Sequence, residues 1–264
     1  VERHRRRETG MRFGMMSGSA TDLVAIAERS GAAPKDNAEY DAAVQQYESV
    51  VDRQLKDLER TSEEMQTKMM DRMKEGGAMA FQDPNAMTDM MKPLVDVARQ
   101  LRDTNREHAR KMGEFMTPEL REKFEAVVAA KNYPRVYREP HLLKHLREAG
   151  AMVLSSEQRE RLEAARAAYL RDAAPINEKW AKAVDDQEEK MGGTMGVMMQ
   201  SWRSPDQGGE NPLAEARKAR RELDKATEDK IKEILTSDQF AKLTPKPPAN
   251  PNPWADMMPS EEEE

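Results

Sequence analysis

The 264 residues carry 43 Lys and Arg against 49 Asp and Glu, a net charge of −6, with 38% hydrophobic and 35% charged residues. Ordinary domains are nearer half apolar and a quarter charged, so this composition excludes a thick core and leaves thin seams between helices, each of which needs one apolar stripe. The acidic balance excludes the concentrated positive surface that nucleic acid requires, the absence of cysteine excludes disulfides and thiol chemistry, and no apolar run approaches the roughly 20 residues of a membrane span.

Residues 1–21 are rich in Arg, Gly and Met without a clear period and are expected to form a flexible N-terminal segment; the basic run His4-Arg5-Arg6-Arg7 is too isolated to change the charge argument. Val1 stands where an initiator Met would, so an initiator or a longer leader is expected to precede it. Leu23–Arg29 reads as a short helix ended by Gly31. From Tyr40 to Met73 apolar residues recur in steps of three or four (Tyr40, Val44, Tyr47, Val51, Leu55, Leu58, Met65, Met69, Met73), with a gap at Ser62, and predict one long amphipathic helix stopped by Gly76-Gly77. A Met-rich loop, 78–92, is expected next. Pro93 then opens a helix with a stripe of Leu94, Val97, Leu101, His108, Met112 and Phe115.

The second half repeats this order. A helix from near Ser156 carries Leu162, Ala165, Tyr169, Ile176, Trp180 and Val184, should kink at Pro175, and ends at Gly192-Gly193. A second Met- and Gly-rich loop, 191–211, leads to a helix opened by Pro212, with Leu213, Ala216, Leu223, Ile231 and Ile234. The halves align without gaps at one spacing: Pro93-Leu94 with Pro212-Leu213, Arg102 with Arg221, Lys111 with Lys230, Glu114 with Glu233, Thr117 with Thr236 and Lys123 with Lys242. We read an internal duplication, with helical repeats at 22–134 and 135–244. The Pro- and Asn-rich residues 245–264, closing on four glutamates, are expected to be a disordered, solvated tail.

Three short segments punctuate the helices: Met116-Thr117-Pro118-Glu119-Leu120, Leu154-Ser155-Ser156-Glu157-Gln158 and Leu235-Thr236-Ser237-Asp238-Gln239. The last two have the form of capping boxes, in which Ser155 or Thr236 accepts from a backbone N–H three residues on and Gln158 or Gln239 reaches back. A single copy does no more than start a helix. Three apolar-Thr-x-x-Gln-like copies in an all-helical, Met-rich chain resemble the Spy/CpxP, or LTxxQ-motif, family of periplasmic helical stress-response proteins, over about residues 22–244. Leu120 stands where the motif has Gln, and Ser155 where it has Thr. The resemblance implies an all-α fold of long antiparallel hairpins in two tandem repeats. It implies an extracytoplasmic location and ATP-independent, chaperone-like capture of unfolded or stress-exposed proteins, or a zinc-responsive role. Pairing of family-like units also makes a homo-oligomer compatible with it.

The methionines outside the stripes fit helix packing least. Phe81, Met87, Met90, Met91, Met195, Met198, Met199 and Trp202 would offer clients an adaptable apolar surface. Thioethers are also soft ligands, so the same groups could hold Cu(I). His141, His145 and Glu148, spaced by four and three, share one helix face and are candidate zinc ligands, although a solvated face is the simpler reading. No Ser-His-Asp order, phosphate loop or carboxylate dyad stands out, so no catalytic site is expected, and a structural helical spacer or scaffold without a ligand is the third reading beside capture and metal binding.

Overall fold

The computed structural model describes residues 15–76, 84–194, 196–197 and 211–244, and every regular element among them is helical. The helices are α1 (Leu23–Ser30), α2 (Ala38–Gly76), α3 (Pro84–Glu114), α4 (Pro118–Asn132), α5 (Pro134–Tyr137), α6 (His141–Gly150), α7 (Ser156–Met191), α8 (Pro212–Ile234) and α9 (Ser237–Phe240). None is long and apolar enough to cross a membrane. The chain divides into two compact units, Val1–Pro134 with Lys182–Glu210, and Arg135–Ala181 with Asn211–Glu264. Helix α7 is continuous through Pro175 and belongs to the second unit up to Ala181 and to the first from Lys182.

In the first unit Asp22 caps α1 by accepting from the Ala25 N–H at 3.0 Å, and Gly31, at φ 68°, ends it in the left-handed conformation that a side chain would resist. Asn37 caps α2, accepting from the N–H groups of Glu39 and Tyr40. The expected stripe then buries Tyr40, Tyr47, Val51 and Leu58, with Ser62, the residue that breaks the pattern, also buried. Tyr40 lies edge-on to Phe115, and Gln54 donates to Thr104, so α2 and α3 run antiparallel. Leu94, Val95, Ala98, Leu101 and Met112 of α3 and Phe124 and Val128 of α4 complete one core. Burying each large aliphatic side chain stabilises by about 1.5–3 kcal/mol relative to exposure.

Two expectations fail here. Residues 78–92 are not all loop: α3 begins at Pro84, and Pro93 lies inside it rather than at its start. A proline in the third turn was read as a boundary because it removes a hydrogen bond, but packing of Leu94, Val95 and Met91 against the core holds the helix across it. The N-terminal flexible segment also ends earlier than expected. Met15 and Met16 are 8% and 2% exposed and belong to the core; residues 1–14 lie outside the described residues.

The second unit has a smaller core. Leu142, Leu146 and Ala149 of α6 meet Leu162, Ala165, Tyr169 and Ala173 of α7 and Ile231 and Ile234 of α8, closed by Leu235 and Leu243. Tyr169 pairs with Asp224, and Gln158 with Ile234, so α7 and α8 are antiparallel as well. Asn211 caps α8, accepting from the N–H groups of Leu213 and Ala214, with Pro212 at its first position. The expected tail 245–264 lies outside the described residues.

Candidate functional site

The motif residues do more than start helices. Ser155 Oγ accepts from the Gln158 N–H at 3.1 Å while Gln158 Oε1 accepts from the Ser155 N–H at 3.1 Å, so the box before α7 is reciprocal. The box before α9 is complete too: Thr236 Oγ1 accepts from the Gln239 N–H and Gln239 Oε1 from the Thr236 N–H. The two glutamines then interlock. Gln158 Nε2 donates to the Ile234 carbonyl and to Gln239 Oε1, both at 2.9 Å, and Gln239 Nε2 donates to the Val153 carbonyl at 3.1 Å. One amide thus satisfies its own cap and the facing chain, and the pair clasps the start of α7 to the end of α8. Thr117 accepts from the Leu120 N–H at 3.4 Å, but Leu120 cannot reciprocate; it packs partly buried against the first core. Only two of the three copies can form such a clasp.

His141, His145 and Glu148 do lie on one helix, α6, with the two rings 4.3 Å apart. Two of them hold Thr244, beyond the end of α9. Glu148 accepts from the Thr244 N–H at 2.9 Å and hydroxyl at 2.7 Å, and a ring nitrogen of His145, which is buried, lies 2.7 Å from the Thr244 carbonyl oxygen. The Thr244 hydroxyl, then its N–H, holds the Glu148 carboxyl below its ordinary range. Among the described residues no three His, Asp or Glu side chains gather as a cation site.

Of the client-binding candidates, Phe81, Met195, Met198, Met199 and Trp202 lie outside the described residues, and the side chain of Met87 does as well. Met90 and Met91 are in α3, not in a loop, and are half-buried, Met91 against the core. The exposed methionines are elsewhere. Met70 and Met73, near the C-terminal end of α2, are 56% and 54% exposed. Met73 was expected in the seam; there the stripe has outrun its cover, whereas Met65 still packs on the core. Comparison with protein-family models, curated proteins and solved structures finds no match to this chain.

The sequence reading missed a set of buried polar groups. Tyr47 donates to Asn105 Oδ1 at 2.9 Å, and Asn105 Nδ2 donates to the Gly18 carbonyl at 2.7 Å, which fastens the Met15–Ala20 segment to α2 and α3. Glu188, 3% exposed, accepts from the Ser17 N–H and hydroxyl, both at 2.8 Å, and from the Thr194 hydroxyl at 3.0 Å. Burial pushes its carboxyl up, against the pull of these donors. The Thr194 N–H donates to the Met15 carbonyl at 2.8 Å, and Gly193, at φ 88°, permits this because a Cβ there would collide with that oxygen. Arg106 bonds Asp185 at 2.7 Å and Tyr133, and the Tyr133 hydroxyl donates to Asp185 at 2.9 Å. In the second unit Arg220, 8% exposed, reaches the Tyr169 hydroxyl at 2.8 Å, Asp224 at 3.2 Å and Asn177. Burial, ahead of the neighbouring carboxylate, pushes both tyrosine hydroxyls well up, so they stay protonated donors. Isolated polar letters inside an apolar stripe (Asn105, Arg220) were the available signal.

Proposed function

We propose that the chain is an ATP-independent binding protein of the Spy/CpxP type, acting outside the cytoplasm, which captures unfolded or stress-exposed proteins on Met-rich apolar surface. The observation that carries this is the exposure of Met70 and Met73 on a helix whose surrounding residues, Glu63, Glu64, Lys68, Asp71, Arg72 and Lys74, are charged. Flexible thioether side chains adapt to varied apolar segments, and mixed charge around them speeds encounter and keeps the complex dispersed. The caps at Ser155 and Thr236 support the family reading by forming the reciprocal bonds that the motif calls for.

Equivalent positions of the two halves support the reading of an internal duplication. At the single spacing that aligns the halves, Leu94 and Leu213, Met112 and Ile231, Met116 and Leu235, and Phe124 and Leu243 are all buried. At the same spacing Asn105 and Asp224 accept from the tyrosines of the facing helices, and Thr117 and Thr236 are caps.

The test is suppression of aggregation of an unfolding client by the full chain and by Met70→Gln/Met73→Gln, which keeps side-chain length and helix propensity. The wild type should suppress and the variant should be clearly weaker at equal helical content. Equal suppression removes this surface from the reading. Cu(I) capture is the second reading, favoured by Met69 and Met73 four apart on one helix face. It takes over if the wild type leaves the client unprotected and binds Cu(I) through these residues.

A further inference from the structure

The second unit carries an open groove of about 330 Å³ on α6 and α7. Leu143, Leu154, Leu162 and Leu170 contribute its apolar lining, and Leu170 is 48% exposed. Its rim is basic in effect. Glu139 is neutralised by a two-bond pairing with Arg147 at 3.0 and 3.2 Å, and among the described residues neither Arg159 nor Arg166 makes an ion pair, so the two of them outweigh the single remaining carboxylate of the lining, Glu163. An occupant should therefore offer an apolar group followed by acidic ones.

We propose that the occupant is this chain's own segment from Trp254 to Glu264, docked in cis. Three observations commit to it. The segment has Trp254, Met257 and Met258 followed by Glu261–Glu264, with Asp256 between and no basic residue, which is the complement of a leucine-lined groove beside Arg159 and Arg166. Its starting point is fixed on α6, because Glu148 and His145 hold all three polar groups of Thr244. The intervening residues 245–253 reach far enough. Nine residues at about 3.1 Å each extend to about 28 Å, against a helix about 10–12 Å across, so the segment can pass round α6 to the groove. Tethering makes the encounter intramolecular, so a weak contact is populated without a second chain. The inference stands apart from the capture reading, since it concerns a different surface and needs no client.

The chain has no cysteine, so Gly150→Cys, a groove position where an added Cβ meets nothing within 4 Å, gives one attachment site for a bimane fluorophore without changing the rim charge, and tryptophan quenches it only at contact. In the full-length labelled chain, Trp254→Phe should raise emission about twofold if the docked form is at least half populated. Arg159→Glu/Arg166→Glu, at exposed positions, should raise it equally with unchanged circular dichroism. Emission unaffected by Trp254→Phe overturns the proposal. So does quenching that fades on dilution to nanomolar chain, which would assign the groove to the tail of a second copy. Quenching that is independent of concentration and lost in both variants upholds it.

Discussion

His108 is 4% exposed, with its ring 5.3 Å from that of Tyr47, and burial, then Lys111, pushes its pKa below the ordinary 6.5. The folded state therefore prefers the neutral ring. The stability this contributes is complete above the ordinary histidine range and is lost as pH falls through the depressed folded value. His108→Leu should flatten the fall in unfolding free energy between about pH 6.5 and 5 in urea titrations; an unchanged pH slope would assign the titration elsewhere. Glu188 works in the opposite sense. Its raised pKa gives stability that is present at low pH and lost as pH rises past the ordinary carboxylate range, so comparing variant with wild type isolates the histidine. The Gln158–Gln239 contact is the other residue-level test. Gln158→Leu and Gln239→Leu should each cost about 1–2 kcal/mol, and the double variant should fall short of the sum by about 1 kcal/mol, because each amide loses its partner in either single change. Strict additivity in thermal unfolding would mean that the clasp is not formed. Thr236→Ala should cost about 1 kcal/mol through the cap alone. Caps were legible in the sequence because hydroxyl and amide sit three residues apart; their interlocking was not, because it joins segments about eighty residues apart.

At the scale of elements, Pro93 decides between two descriptions of α3. If the helix begins at Pro84, Pro93→Ala restores an interior hydrogen bond and removes a ring clash, a gain of up to about 3 kcal/mol, offset by about 1 kcal/mol of added unfolded-state entropy. If the helix began at Pro93, the same change would be neutral or destabilising. A higher unfolding midpoint is the expected outcome. Tyr169→Phe should destabilise the second unit by about 1–2 kcal/mol, since it removes a hydrogen bond to each of Asp224 and Arg220, which keep only each other and Asn177; an unchanged midpoint would mean that water replaces the hydroxyl. The long helices were legible from period alone. Their ends at Gly31 and Gly192 followed from left-handed conformations that glycine adopts freely. The start of α3 was not legible, because an interior proline and a first-turn proline look the same until the contacts around them are known.

For the whole molecule, the consequences rest on which apolar residues lack cover. Met70→Gln/Met73→Gln should leave stability nearly unchanged, since both side chains are more than half exposed, while weakening client capture; a loss of unfolding free energy above about 1 kcal/mol would place them in a packed seam instead. Composition and periodicity by themselves determined that this protein is all-α, with thin seams, capped helices and a stop at the second double glycine. These are local properties, set by the spacing of apolar side chains and by backbone preferences within a few residues. Only the tertiary structure decided that Met15 and Met16 are core, that Met73 is surface, that His145 and Glu148 hold Thr244, and that Lys182–Met191 belongs with the first unit. The physical reason is common to all four. Burial and hydrogen-bond partnership depend on what another part of the chain brings within a few ångströms, and a stripe of methionines or a row of histidines reads the same whether or not that partner arrives.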